Sequence, residues 1–246
     1  MIGEFRSPAQ VRAACGDDDL LVWAAGELRG GRRAWWLGDA VVVAAPGLSR
    51  HDRLAVWGGT ACAASLVEHA LAEVGAGYRP FGDSALVAGV ASKVDGMRVA
   101  GSFSWMGADR LSGEFGPSGE VRWLSRGEES QVGALLAAEA PHSYAVPGMA
   151  GVSRWAGVCA GGGLASVAAE AWSAPTVGFL AGVATAAAHR GRGLAGRVCR
   201  WVSAELLAAH GRVALMVDDT NAAALTVYER LGFTRRRVSA AGLETA

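Results

Sequence analysis

The sequence predicts an α+β fold of the three-layer α/β kind, with helices packed on a mixed sheet. The chain of 246 residues is 51% hydrophobic, which is enough for one large core or two modest ones. Strand-like and helix-like segments alternate along it. A stretch rich in Gly, Pro and Ser at residues 112–121 separates two halves that share this rhythm. We therefore predict one domain at residues 1–116 and a second at residues 121–246.

Hydrophobic periodicity assigns the elements of each half. In the first half it predicts strands at residues 33–45, 53–59, 83–92 and 98–107, and a helix at 61–75 that Gly75 ends. In the second half it predicts helices at 128–140, 194–211 and 221–232, and strands at 153–160, 163–173, 176–185, 212–219 and 233–239. The core face of the helix at 194–211 is predicted to carry Leu194, Val198, Val202 and Leu206, which recur at four-residue spacing.

Charge and composition exclude several classes of protein. The formal net charge is +0, so neither nucleic acid nor a membrane surface is an expected partner. The four cysteines have no spacing typical of a zinc site, and we expect no metal and reduced thiols. The N-terminal residues lack the apolar core of a signal peptide, and no apolar run reaches the roughly 18 residues of a membrane span. We therefore expect a cytoplasmic protein.

The segment HRGRGLAGR, residues 189–197, fits two different phosphate-binding patterns. Gly191, Gly193 and Gly196 form G-x-G-x-x-G, which is typical of dinucleotide-binding folds when a strand runs directly into it. Arg190, Gly193 and Ala195 form R-x-x-G-x-A, a pattern associated with acyl-coenzyme A.

Two observations count against a dinucleotide. The preceding apolar run ends at Thr185, so the five residues AAAHR intervene before the first glycine. Only 28 residues follow Asp218, the candidate ribose-binding acid, which is too few for a second nucleotide-binding half. A nucleoside triphosphate P-loop is also disfavoured, because it requires G-K-[ST] after the glycines.

The segments GVATAAAHRGRGLAGRV (182–198) and DDTNAAALTVYERLGF (218–233) resemble the GCN5-related N-acetyltransferase (GNAT) superfamily, and within it the FR47-like subgroup. The resemblance covers residues 121–246. It implies a mixed, mostly antiparallel sheet with a splayed central strand pair, preceded by a divergent N-terminal domain that is a degenerate copy of the same fold. That first domain lacks the R-x-x-G-x-A loop, so we expect it to cover one side of the acceptor cleft or to form a homodimer.

The resemblance also implies a site for acetyl-CoA, or another acyl-CoA, as co-substrate. A helix that begins near Gly193 leaves its first N–H groups without internal partners, and these can bind a diphosphate. Main-chain groups of Val183 and Thr185 would pair with the pantetheine arm. The expected coenzyme-binding residues are Val183, Ala184, Thr185, Arg190, Gly191, Arg192, Gly193, Leu194, Ala195, Gly196 and Asn221. Asn221 has a second interpretation as a helix cap.

Two catalytic candidates follow. The resemblance assigns Tyr228 as the acid that protonates the departing thiolate, whereas its spacing with Leu225 and Leu231 also suits a core aromatic residue. Glu170 is our candidate base, because an isolated carboxylate buried among Ala, Val and Trp would have a raised pKa; it would equally suit a solvent-facing position. The family often has a glutamate on the strand before the loop, and this strand has none. His142 is expected to be a surface residue.

The sequence therefore predicts an N-acyltransferase that moves an acetyl group from coenzyme A to an amine of a small molecule or peptide by direct attack. The alternative is an acyl-CoA-binding sensor module without turnover.

Overall fold

The computed structural model describes residues 1–112 and 120–244 and divides into two compact units. The first unit comprises Met1–Trp105 and Arg236–Ala246, and the second comprises Met106–Arg235. Most of the predicted linker, residues 113–119, lies outside the described residues. The boundary between the units thus falls between residues 105 and 106, and the C-terminal segment belongs to the first unit. The predicted domains are two continuous segments and so do not include this return of the chain to the first unit.

Both units combine strands with helices. The strands are β1 (Gly3–Glu4), β2 (Arg33–Leu37), β3 (Ala40–Leu48), β4 (His51–Trp57), β5 (Arg79–Asp83), β6 (Met97–Ala108), β7 (Arg122–Trp123), β8 (Val152–Ala160), β9 (Gly163–Ala171), β10 (Gly178–Thr185), β11 (Val213–Val217) and β12 (Thr234–Leu243). The helices are α1 (Pro8–Ala14), α2 (Asp19–Ala25), α3 (Thr60–Val74), α4 (Ser84–Ala91), α5 (Glu129–Glu139), α6 (Leu194–His210) and α7 (Ala222–Arg230).

The first unit has the strand order β1-β2-β3-β4-β5-β12-β6, to which β12 contributes its residues from Arg236 onward. The strands β1 to β4 are successively antiparallel, β4 and β5 are parallel, and β5 and β12 are antiparallel. Helix α3 packs on the sheet through a buried face that includes Leu66 and Val67, and it ends at Gly75 as predicted. This unit therefore has its own mixed sheet and core.

The prediction of a strand at residues 83–92 is wrong, because residues 84–91 form α4. The Asp83 carboxylate accepts hydrogen bonds from the N–H groups of Ala85 (2.9 Å) and Leu86 (3.1 Å), which caps the helix. A short apolar run suits either a strand or a buried helix, and here the capping aspartate decides between them.

The second unit has the strand order β7-β8-β9-β10-β11. Its strands β7 to β10 are antiparallel, and β10 and β11 are parallel. Helix α6 covers the sheet, and the four residues predicted on its core face are all buried, namely Leu194, Val198, Val202 and Leu206. The predicted mixed, mostly antiparallel sheet is confirmed.

The two halves of the chain share an order of elements, from β1 to β6 and from β7 to β12. In each half, a strand and helical residues precede three antiparallel strands, then a helix, a strand parallel to the third, a second helix and a final strand. The helix that follows the third strand is α3 in the first unit and α6 in the second. Within the residues described, no helix has the length and apolar character needed to cross a membrane.

Candidate active site in the second unit

The parallel strands β10 and β11 separate at the end where the candidate site lies. Their pairing runs from Gly178↔Val213 to Leu180↔Leu215, whereas β10 continues to Thr185. The main chain of β10 beyond Leu180 is therefore not paired with β11, and the splayed strand pair implied by the resemblance is confirmed. Such a gap offers strand N–H and C=O groups to an extended ligand.

A β-bulge lies in the unpaired part of β10. Ala181 pairs with Ala169 and Ala184 pairs with Val167, so Gly182 and Val183 together stand opposite one residue of β9. Gly182 has a φ of +63°. A Cβ at this position would lie 2.4 Å from the Trp155 ring, so only glycine fits both the backbone and the packing.

We expect Gly182→Ala to lower the free energy of unfolding by about 3 kcal/mol. Alanine adopts the left-handed backbone conformation only with strain, and its Cβ would also overlap the Trp155 ring. Gly162→Ala is the matched control. Gly162 has a φ of +85°, but a Cβ at this position would have no other atom within 4 Å, so the variant should lose only about 1 kcal/mol. Urea unfolding of both variants measures the difference. Equal losses would show that Trp155 does not constrain the bulge.

The loop between β10 and α6 is held by Glu139 of α5. The Glu139 carboxylate accepts a hydrogen bond from the Ala187 N–H (2.8 Å) and pairs with the Arg190 guanidinium at 2.5 Å. Arg190 also donates to the Thr185 carbonyl oxygen at 3.3 Å. Arg190 therefore connects the loop to α5 and to the end of β10. A contact between Arg190 and phosphate stays a prediction. Arg192 is exposed and lies 3.5 Å from the His189 ring nitrogen Nδ1.

Removing the charge of Glu139 should weaken coenzyme A binding about two- to fivefold, since a partly exposed ion pair contributes roughly 0.2–1 kcal/mol. Glu139→Gln keeps an acceptor for the Ala187 N–H and loses only the pairing with Arg190. Glu129→Gln on the same helix is the control. Calorimetric titration with coenzyme A checks the prediction, which fails if the two variants bind equally well.

The N-terminus of α6 is open to a ligand. Gly191 and Gly193 have φ values of +74° and +72°, and a Cβ at either position would have no other atom within 4 Å. Gly193 is the residue before the helix and offers no side chain to cap it. The first N–H groups of α6, from Leu194 onward, therefore point toward solvent without a partner inside the helix. Such an end binds anions.

The structure supports the rejection of the dinucleotide pattern. The connector after Thr185 contains a 3₁₀ turn, Ala187–His189, so the strand does not run directly into the glycines. The Asp218 carboxylate accepts hydrogen bonds from the N–H (2.8 Å) and hydroxyl (2.7 Å) of Thr220, and these bonds lower its pKa. Asp218 therefore stabilises the turn before α7.

Tyr228 is buried, with its ring 5.9 Å from that of Phe233 and its hydroxyl hydrogen-bonded to Cys199 of α6. Burial, together with Cys199, raises the pKa of Tyr228 well above its ordinary value. Burial also raises the pKa of the Cys199 thiol to about 12. Tyr228 is therefore a core aromatic residue whose hydroxyl stays protonated at neutral pH, and its role as the acid that protonates the thiolate stays a prediction.

Asn221 caps α7. Its side-chain oxygen accepts a hydrogen bond from the Ala224 N–H at 3.1 Å, so the capping interpretation is confirmed. The residue is exposed, and its amide nitrogen takes no part in this bond; a contact between that nitrogen and a ligand stays a prediction.

The expectation of an isolated Glu170 carboxylate is wrong. Glu170 is buried, but it pairs with Arg154 at 2.8 Å and with His210 at 3.2 Å. It lies opposite Leu180, five residues before Thr185, which is roughly 16 Å along the strand. Glu170 therefore belongs to a partly buried polar cluster near the other end of β10, because Arg154 and the end of α6 both contact it. As a catalytic base it is disfavoured by position.

His142 is exposed, as expected. Cys159 is an exposed thiol and Cys199 a buried one. In the parts of the chain that the structure describes, no three His, Cys, Asp or Glu side chains gather in a metal-binding group.

Sequence reasoning missed three residues that shape the site. Gly182 had a signal, because an isolated glycine within a strand pattern often marks a bulge. Glu139 and Cys199 had none, since their contacts with Arg190 and Tyr228 join residues distant in the chain.

Comparisons with known proteins agree with this geometry. Residues 156–240 match the family model described as FR47-like protein. No curated protein matches the chain. A GNAT-family structure from Novosphingobium aromaticivorans is similar over 97% of this chain and 98% of its own, with 22% identity and a TM-score of 0.56. A GCN5-related N-acetyltransferase from Kribbella flavida is similar over 96% of each chain, with 18% identity and a TM-score of 0.60. At these identities the structures establish a shared fold. Residues 156–240 are therefore similar to the FR47-like family, and the chain shares its fold with structures of GCN5-related N-acetyltransferases.

Proposed function

We propose that the second unit is an acetyl-CoA-dependent N-acyltransferase that acts on a primary amine of a small molecule or peptide. The observation that carries the proposal is the open N-terminus of α6 at the end of the splayed strand β10. A diphosphate and an extended pantetheine arm need these two features side by side. The glycine conformations at residues 191 and 193 fit close approach by a phosphate.

The main chain and α6 would hold the acyl donor. The amides of Leu194, Ala195 and Gly196 would bind the diphosphate, and the bulge at Val183 would present a main-chain N–H to the thioester carbonyl oxygen. That oxygen becomes negative during attack, and a fixed N–H donor stabilises it. The amine nitrogen forms a bond to the carbonyl carbon while the carbon–sulfur bond breaks.

Proton transfers accompany this reaction. The nitrogen loses two protons on its way from ammonium to amide, one before attack and one after it, and the departing thiolate gains one. Tyr228 is the proposed donor to the thiolate, because its hydroxyl is protonated at neutral pH. No acidic side chain occurs on β10, and Glu170 is engaged by Arg154 and His210. We therefore propose that water carries the proton away from the amine.

The test is a screen of primary amines with acetyl-CoA, in which mass spectrometry follows the acetylated product. We expect product with at least one class of amine. Detection of free thiol alone is less suitable, because Cys159 is exposed and reacts with the same reagents; Cys159→Ser removes that background. Tight binding of acetyl-CoA without acetylation of any amine would contradict the proposal.

The engagement of Glu170 and the lack of an acid on β10 favour a second candidate, an acyl-CoA sensor without turnover. A sensor would bind acetyl-CoA and coenzyme A and leave every amine unmodified. Substitution of Tyr228 distinguishes the two, since it should alter turnover in an enzyme and change little in a sensor.

A further inference from the structure

A cavity of about 370 Å³ lies within the first unit, at the carboxyl ends of the parallel strands β4 and β5. Trp57 and Gly58 line it from the end of β4, and Gly82 and Asp83 from the end of β5. Ligands of α/β sheets bind at the carboxyl ends of parallel strands, and cavities of this volume suit small molecules. Position and size therefore both indicate a binding site.

The first unit cannot bind coenzyme A as the second is proposed to do. The pairing of β4 and β5 extends to Val56↔Gly82, so these strands leave no gap for a pantetheine arm. A Cβ on Gly59, the residue before α3, would lie 2.6 Å from a carboxylate oxygen of Asp39. An internal anion thus stands at the helix end where a diphosphate would bind, so a different ligand must fit the cavity.

The cavity wall carries more negative than positive charge. Among the described residues that line it, Asp18 and Asp83 are acidic and Arg236 is basic, a net of one negative charge. Asp18 binds the Arg236 guanidinium at 2.5 and 3.1 Å, and Asp19 binds it at 2.6 Å. Asp18 and Asp19 therefore already balance the cation of Arg236 through direct contacts. Asp83, which caps α4 and also acts on Arg236, adds a further negative charge to the wall.

The remaining lining is apolar and aromatic. Trp57 is half-buried and lines the cavity, and aromatic rings attract organic cations. The aliphatic part of the lining consists of Leu20, Leu21, Val56 and Leu86. A ligand with an apolar body and one positive charge matches this combination of surfaces.

We propose that this cavity binds a small organic ammonium ion, with the cationic group toward Asp83 and Trp57 and the hydrocarbon part against the leucine and valine side chains. All of its lining residues belong to the first unit, and its occupation requires no acyl donor. It gives the first unit a ligand of its own, of the same chemical class as the amine acceptor.

The test is calorimetric titration of the whole chain with 2-phenylethylammonium chloride, without coenzyme A. Its neutral analogue, 2-phenylethanol, is titrated in parallel. We expect the ammonium ion to bind at least about tenfold more tightly than the alcohol, since a hydrogen bond to a charged group is stronger than one between neutral groups.

Two variants locate the binding. Asp83→Asn keeps a good cap for α4 and removes the charge, and should raise the dissociation constant about tenfold. Leu86→Phe keeps the charge and fills the cavity, and should also weaken binding. Asp95→Asn, at an exposed position of the first unit, is the control and should bind as the unsubstituted chain does. Equal affinity for ammonium and alcohol, no binding, or unchanged binding in both Asp83→Asn and Leu86→Phe would overturn the proposal. If Asp83→Asn fails to fold, Leu86→Phe and the alcohol decide the outcome.

Discussion

Replacing Gly193 by Asp is expected to weaken coenzyme A binding by at least a factor of about one hundred. The new carboxylate would stand at the N-terminus of α6, where the diphosphate is proposed to bind. Two like charges about 4 Å apart in a partly hydrated site repel by roughly 4 kcal/mol. The left-handed φ of +72° is one that Asp and Asn adopt more readily than other side chains.

Gly193→Asn is the matched control, because it has the same shape and backbone cost without the charge. We expect it to bind coenzyme A within about fivefold of the unsubstituted chain, since hydrogen bonds to main-chain amides survive. Calorimetric titrations of both variants, after thermal unfolding has shown that they are folded, give the comparison. If Asp and Asn weaken binding equally, the diphosphate does not lie at this helix end.

Replacing Tyr228 by Phe should lower kcat for acetyl transfer by about a hundredfold and leave KM for acetyl-CoA nearly unchanged. Proton transfer by a positioned side chain contributes at least about this factor. The variant also loses the hydrogen bond between Tyr228 and Cys199, at a cost of about 1 kcal/mol in the free energy of unfolding. Activity should therefore be compared at a temperature where both proteins are fully folded.

Tyr78→Phe, in the first unit, is the control and should have unchanged kcat. Cys199→Ser separates the two roles of Tyr228, because it keeps a hydrogen-bonding partner for the hydroxyl. A fall in stability without a fall in kcat in Tyr228→Phe would leave Tyr228 as a core residue and assign protonation of the thiolate to water.

Much of the fold was predictable because its elements have strong local patterns. The spacing of Leu194 to Leu206 and the glycine at position 211 define α6 from sequence alone. The strands predicted at 153–160 and 163–173 correspond to β8 and β9. Where the local pattern is ambiguous, prediction fails. Residues 84–91 form a helix that Asp83 caps. Strand β5 was not predicted, because a proline such as Pro80 within a short run argues against a strand.

The candidate site was predictable where it consists of consecutive main-chain residues. The glycine loop and the start of α6 are consecutive in sequence, and their conformations follow from Gly191 and Gly193. Side chains that act across the fold were not predictable. Nothing local shows that Glu170 is bound by Arg154 and His210, or that Glu139 holds Arg190.

The placement of residues 236–243 between β5 and β6 has a consequence for folding during synthesis. Domains usually fold in the order of synthesis, the N-terminal one first. Here the sheet of the first unit is complete only after residues 236–243, which are translated after the whole of the second unit. Until then, the edges of β5 and β6 lack their partner strand, and unpaired strand edges promote aggregation. We therefore expect the half of the protein that is synthesised first to need chaperones for longest.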